Sequence, residues 1–138
     1  VLSRIMFGYI SDIIGPLKTL LIGSTLQMIT LILFIPFNSL TGLYIVSILF
    51  GLSQGGIVPS YALIVKKYLP NKDAAERIGL IIFFTIIGMS IGGWMSGKIY
   101  DYTNSYSLGF LNSILWNLLN VIIIFYLFVS FKKSKVSI

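Results

Sequence analysis

Four stretches of this chain are apolar and almost free of charge over lengths that few soluble folds use. Leu17 to Ile35 carries a single charge, Lys18, at its edge, while Leu40 to Val65, Ile78 to Gly97 and Tyr102 to Phe131 carry none. About 20 residues of helix, rising 1.5 Å each, cross the roughly 30 Å hydrocarbon core of a bilayer. A helix satisfies the backbone hydrogen bonds of such a segment internally. Runs this long select helices. Charged residues make up only 10 % of the chain, against about 25 % in a soluble domain. Such a chain cannot cover itself with polar surface, so lipid must surround it. The expected fold class is all-α integral membrane, with the lipid bilayer as its first partner.

The expected spans are 1–14, 17–36, 41–65, 77–99 and 108–131, followed by a basic tail, 132–138. The first is too short to cross. Val1 stands inside it, with neither an initiator Met nor a basic leader, so the chain reads as the C-terminal fragment of a longer membrane protein. Gly15-Pro16 makes the first connection short: glycine suits the residue after a helix, and proline the first helical position. Asp73 and Glu76 have the spacing of a capping box at the start of the fourth span.

Basic residues alternate along the loops. Lys18 marks the first, Lys66, Lys67, Lys72 and Arg77 the third, and Lys132, Lys133 and Lys135 the tail, whereas the second has none and Lys98 alone borders the fourth. By the positive-inside rule the first loop, the third loop and the C-terminus are cytoplasmic. The expected location is the inner (cytoplasmic) membrane, multi-pass. The net charge of +6 is therefore a topology signal and not a nucleic-acid footprint. Cysteine and histidine are absent, so this chain offers no disulfide, zinc or haem site; no cofactor, metal or enzymatic activity is expected.

Arg4 lies eleven residues from Gly15, or about 16 Å along a helix, near the middle of the hydrocarbon. An arginine there costs at least about 2.5 kcal/mol. It needs an acid elsewhere in the protein, a water-filled cavity or an anionic ligand; a carboxylate matches its planar fork with two parallel hydrogen bonds. Asp12 stands near the C-terminus of its own helix, where the dipole disfavours a carboxylate by about 0.3–1 kcal/mol. Lys18, Lys66, Lys67 or a neighbouring helix N-terminus can compensate, forming a latch; a solvated surface acid is the alternative. Arg4, Gly8 and Asp12 recur every four residues and share a face.

Gln54, among Gly51, Gly55 and Gly56 and ahead of Pro59, either bonds a substrate or bonds a neighbouring helix. Tyr61, seven residues on, either caps a cavity or packs. Gly88/Gly92 and Gly93/Gly97 repeat every four residues, a spacing that permits close helix packing. Asn112, Trp116, Asn117 and Asn120 are read as helix contacts, and Lys98 as a snorkelling lysine beside Asp101.

"RIMFGYISDIIGPLK", Arg4 to Lys18, resembles the G-x-x-x-D-(R/K)-x-G-(R/K)-(R/K) loop signature of the major facilitator superfamily. Gly8, Asp12 and Gly15 match; Ile13 and Pro16-Leu17-Lys18 depart, which leaves Lys18 a partial substitute for the basic cluster. "GLSQGGIVPSYALIVKKYLP", "GMSIGGWMSGKIYDYTNSYSLGFLN" and above all the turn from Tyr100 to Phe110 are similar to helices ten to twelve of bacterial permeases of the monocarboxylate-transporter type. Gly93 stands where that family often has proline.

The resemblance implies the end of helix eight through helix twelve of a twelve-helix bundle, working by alternating access. It implies that Arg4, four residues before Gly8, pairs with a substrate carboxylate, and that Gly8, Asp12, Gly15 and Lys18 gate the cytoplasmic side. The family's acid four residues before that arginine would fall ahead of Val1, so a proton is the candidate coupling ion with its carrier beyond this chain.

The function expected is secondary active transport of a small organic anion, a monocarboxylate, bound by Arg4, Gln54 and Tyr61. Missing N-terminal helices of the same protein would complete the bundle, with Gly51, Gly55, Gly88, Gly92, Gly93 and Gly97 as packing positions. Two alternatives stand beside it: a permease for another solute with Arg4 structural, and a small non-transporting membrane subunit.

Overall fold

Every long apolar run becomes helix. The computed structural model describes residues 2–37, 39–69 and 73–136, with side chains as far as 131. Its helices are α1 (Leu2–Ile14), α2 (Pro16–Leu33), α3 (Leu40–Gln54), α4 (Ile57–Tyr68), α5 (Ala74–Thr103) and α6 (Tyr106–Val136). No strand occurs among the described residues. Four helical segments are long and apolar enough to cross a membrane: Pro16–Leu33, Leu40–Tyr68, Ala74–Thr103 and Tyr106–Phe131. The protein is a multi-pass membrane protein. Lys72 lies outside the described residues, as do the side chains of Lys132, Lys133 and Lys135.

The turns follow from a few residues. Gly15 takes φ 91° and ψ 151°, a region that a side chain resists, and Pro16 starts α2 at once. The Gly15 N–H donates to the Ser11 carbonyl at 2.9 Å, and its own carbonyl accepts from the Thr19 N–H at 3.1 Å. Ser39 caps α3, its hydroxyl accepting from the Gly42 N–H at 3.2 Å. Asn104, at φ 49°, closes α5 in the left-handed region, and its N–H donates to the Tyr100 carbonyl at 2.7 Å.

The span expected at 41–65 falls within one helical segment long enough to cross, Leu40–Tyr68, which breaks at Gly55–Gly56. Pro59 has no N–H to give the Gly55 carbonyl, and the Ser3 hydroxyl of α1 donates to the Leu52 carbonyl, which Gly56 would serve in an unbroken helix. The capping box at Asp73 does not form. Its side chain makes no cap bond and instead lies 3.9 Å from Arg77 Nη2, one turn along. Helix α6 continues into the basic tail as far as Val136.

Helix α2 is the hub, touching α1, α3, α4 and α6. Its buried positions include Thr19, Gly23 and Ser24, small residues that let neighbours come close. The hydroxyls cost little there, since Thr19 Oγ1 donates to the Gly15 carbonyl at 3.0 Å and Thr25 Oγ1 to the Leu21 carbonyl at 2.8 Å. Leu17, Leu20, Ile57 and Ile124 form the apolar core at one end of the bundle.

The Phe7 ring of α1 is held between α2 and the α3/α4 break. A Cβ on Gly56 would overlap that ring, and one on Gly23 would lie 3.6 Å from its Cε1. Helix α5 stands apart: it touches α4 and α6 but buries no residue, and Phe83, Phe84 and Trp94 are exposed. In hydrocarbon such exposure carries no hydrophobic penalty.

Candidate functional site

Helix α1 buries Ser3, Phe7 and Ser11. The stripe one residue round, Arg4, Gly8 and Asp12, is left uncovered: Arg4 and Asp12 are exposed and a Cβ on Gly8 would meet nothing within 4 Å. Among the described residues Asp73–Arg77 is the one ion pair within 4.0 Å. Arg4 therefore has no carboxylate partner there. Its backbone N lies 3.3 Å from where a Gly55 Cβ would stand, so the α3/α4 break fixes its position on the bundle.

At the α1–α2 junction Ser11, Asp12, Pro16, Leu63, Lys66 and Lys67 line a small cavity of about 270 Å³. Lys67 Nζ lies 3.5 Å from where a Gly15 Cβ would be. Lys66 and Lys67 also occupy the last turn of α4, where positive charge suits the helix dipole. The lysines that share this cavity with Asp12 thus come from α4. Lys18, the basic residue offered by the loop motif, is not in this cavity; it projects from the exposed side of α2 between the buried Leu17 and Thr19.

A second polar feature runs through the bundle. Gln27 Nε2 of α2 donates to Gln54 Oε1 at 2.6 Å, and Asn117 Nδ2 of α6 donates to Gln27 Oε1 at 3.0 Å. Asn120 Nδ2 reaches Ser24 Oγ at 3.4 Å. Asn117 Oδ1 is buried without a hydrogen-bond partner among the described residues. Beside this chain of amides, α2, α3, α5 and α6 enclose a half-open cavity of about 710 Å³, whose polar wall carries Gln27, Asn112, Asn117 and Asn120.

The residues expected to bind substrate are not brought together. Arg4 faces outward from α1, Gln54 is engaged by Gln27, and Tyr61 is packed against the apolar core. Tyr61 lines neither cavity, because the break at Gly55–Gly56 separates it from Gln54.

The glycines divide as well. A Cβ on Gly55 would overlap the Ser3 side chain, so α1 does approach closely there. At Gly51, Gly88, Gly92, Gly93 and Gly97 a Cβ would meet nothing within 4 Å. The close packing expected of these five is not made among the described residues. Gly88, Gly92 and Gly93 instead line the large cavity, since α5 stands off from α2 and α3.

Gln27 was not singled out from the sequence; a mid-span amide eleven residues into α2 was the available signal. Asn117 and Asn120 share a face of α6 and Asn112 lies further round it, and only the placement of α5 shows that all three border a cavity.

The model of the major facilitator superfamily matches residues 1–137. The chain belongs to the major facilitator superfamily. As a member of that superfamily it is similar to rat monocarboxylate transporter 10, with 29 % identity over 117 residues, covering 78 % of this chain and 22 % of that protein. It is also similar to rat monocarboxylate transporter 13, at 24 % identity over 110 residues, covering 78 % of this chain and 26 % of that protein. The chain thus corresponds to roughly a quarter of the length of these curated relatives. No solved structure gives a significant match.

Proposed function

We propose that this chain supplies the end of helix eight through helix twelve of a twelve-helix transporter, and that the complete protein carries a small organic anion, a monocarboxylate, across the membrane by alternating access. One observation carries the reading. Arg4 sits about 16 Å from the α1–α2 junction, by helical rise, on an uncovered face and with no carboxylate partner among the described residues. A guanidinium at that depth is costly, at least about 2.5 kcal/mol, unless an anion meets it. A substrate carboxylate meets it with paired, charge-assisted hydrogen bonds. The family membership and the printed names of the two relatives support the same class of cargo.

In this reading the basic loops are cytoplasmic and the membrane is the inner one. Asp12, with Lys66 and Lys67 across its small cavity, forms a contact that closes the cytoplasmic side and opens as the two halves rock. Gly15 gives that junction its tight turn. Asp12, Asp73, Glu76 and Asp101 all stand near helix ends, so no acid of this chain stands at membrane depth to carry a coupling proton.

The test is uptake of labelled lactate, pyruvate and oxalate by the complete protein in proteoliposomes. Saturable uptake of at least one acid, absent for the neutral lactamide, is the expected result. Equal transport of lactamide, or no transport of any acid, overturns the anion assignment.

A further inference from the structure

The large cavity between α2, α3, α5 and α6 has no part in the reading above, since Arg4 does not line it. Its wall has three properties. No charged residue lines it, its volume is about 710 Å³, and its surface is mostly apolar, with Phe50 of α3, Met89 of α5 and Trp116 of α6 in its lining. The Asn112 amide makes no side-chain hydrogen bond among the described residues, whereas Gln27 and Asn117 are held by each other. Asn112 therefore keeps both a donor and an acceptor for another molecule.

These properties select by chemistry. An anion entering would lose its hydration with no cation to replace it. A purely apolar solute would leave the Asn112 amide unpaired. A volume in the range of roughly 300–1,000 Å³ suits a molecule of drug-like size, and methionine and tryptophan side chains accept an aromatic body. The glycines provide the room: Gly88, Gly92 and Gly93 line the cavity, and a Cβ on any of them would meet nothing within 4 Å.

We propose that this cavity is a second binding site, separate from Arg4, for a neutral aromatic solute bearing an amide or hydroxyl that pairs with Asn112. The inference is independent of the transported anion.

The experiment uses the complete protein in phosphatidylcholine/phosphatidylglycerol liposomes and 4-bromobenzamide, whose bromine quenches tryptophan fluorescence on contact. The signal read is the difference between the native protein and Trp116→Phe. A saturable Trp116 quench is expected, with its apparent affinity reduced at least tenfold in Asn112→Leu. Gly92→Leu, whose Cβ would meet nothing within 4 Å, puts a side chain into the cavity and should abolish the quench while the protein stays monodisperse on size exclusion. The charged 4-bromobenzoate should give no saturable Trp116 quench.

Quenching that rises linearly and equally in all variants would show partition into the bilayer only, and would overturn the proposal. So would the absence of Trp116 quenching, which is the result if other segments of the protein or lipid cover the cavity. Equal saturable quenching by 4-bromobenzoate would overturn the selection for neutral solutes.

Discussion

The side-chain amides of Gln27 and Gln54 meet at 2.6 Å, tying α2 to the last residue of α3 beside the helix break. Gln27 also accepts from Asn117 of α6, so one side chain joins three helices. Interhelical hydrogen bonds in membranes contribute about 0.6 kcal/mol each on average and up to about 1.7. Gln27→Leu removes two of them and strands two amides. We expect a loss of about 1–2 kcal/mol, read as a lower unfolding midpoint of the complete protein in detergent. Because the two residues share one bond, Gln27→Leu with Gln54→Leu should cost less than the sum of the single changes. Strict additivity would mean the bond contributes nothing.

Glycines of similar appearance should behave oppositely. Gly56→Ala drives a methyl into the Phe7 ring and should destabilise by about 1–3 kcal/mol, the usual range for overpacking. In a Phe7→Ala background, where that space is clear, Gly56→Ala should cost less than it does alone. Gly88→Ala meets nothing within 4 Å and replaces a poor helix former, so it should be neutral or stabilise by up to about 1 kcal/mol. Thermal unfolding of the three variants separates these outcomes, and a loss at Gly88 as large as at Gly56 would contradict the placement of α5.

The contrast marks what the residues disclose by themselves. Span length and lack of charge made the helices legible, and Gly15-Pro16 made their first junction legible. The four-residue glycine spacing gave periodicity, but nothing in it told which face would meet a neighbour; Gly55 meets α1 while Gly92 borders a cavity. Asp73 and Glu76 had the local pattern of a cap, yet the Asp73 carboxylate turned to Arg77. Gln27 was invisible as a site because its partners stand 27 and 90 residues away. Arg4 and Asp12, by contrast, were conspicuous alone, as charges in or near hydrocarbon.

The α1–α2 junction should be intolerant of small changes. Gly15→Ala places a Cβ at φ 91°, a conformation that costs L-residues about 1–2 kcal/mol. Transport should slow and the unfolding midpoint should fall, whereas Lys18→Gln should leave both nearly unchanged, because Lys18 is exposed and outside the cavity that holds Asp12.

If Asp12 and the α4 lysines act together, their removal should not compound. Asp12→Asn and the paired change Lys66→Gln with Lys67→Gln should each lower initial uptake several-fold at equal surface expression. The triple variant should be no slower than the worse of the two. Multiplying losses would place Asp12 and the lysines in separate roles.

Arg4 carries the central claim, and substitution at Arg4 tests it most directly. The measurement is initial uptake of labelled lactate, pyruvate and oxalate by the complete protein with Arg4, Arg4→Lys and Arg4→Gln, each at matched expression. Loss of a paired charge-assisted contact of about 1.5–3 kcal/mol predicts at least a tenfold fall for Arg4→Gln. Arg4→Lys should retain part of the rate, because the charge remains while the planar fork is lost. Uptake of the acids by Arg4→Gln at the native rate would contradict the carboxylate role.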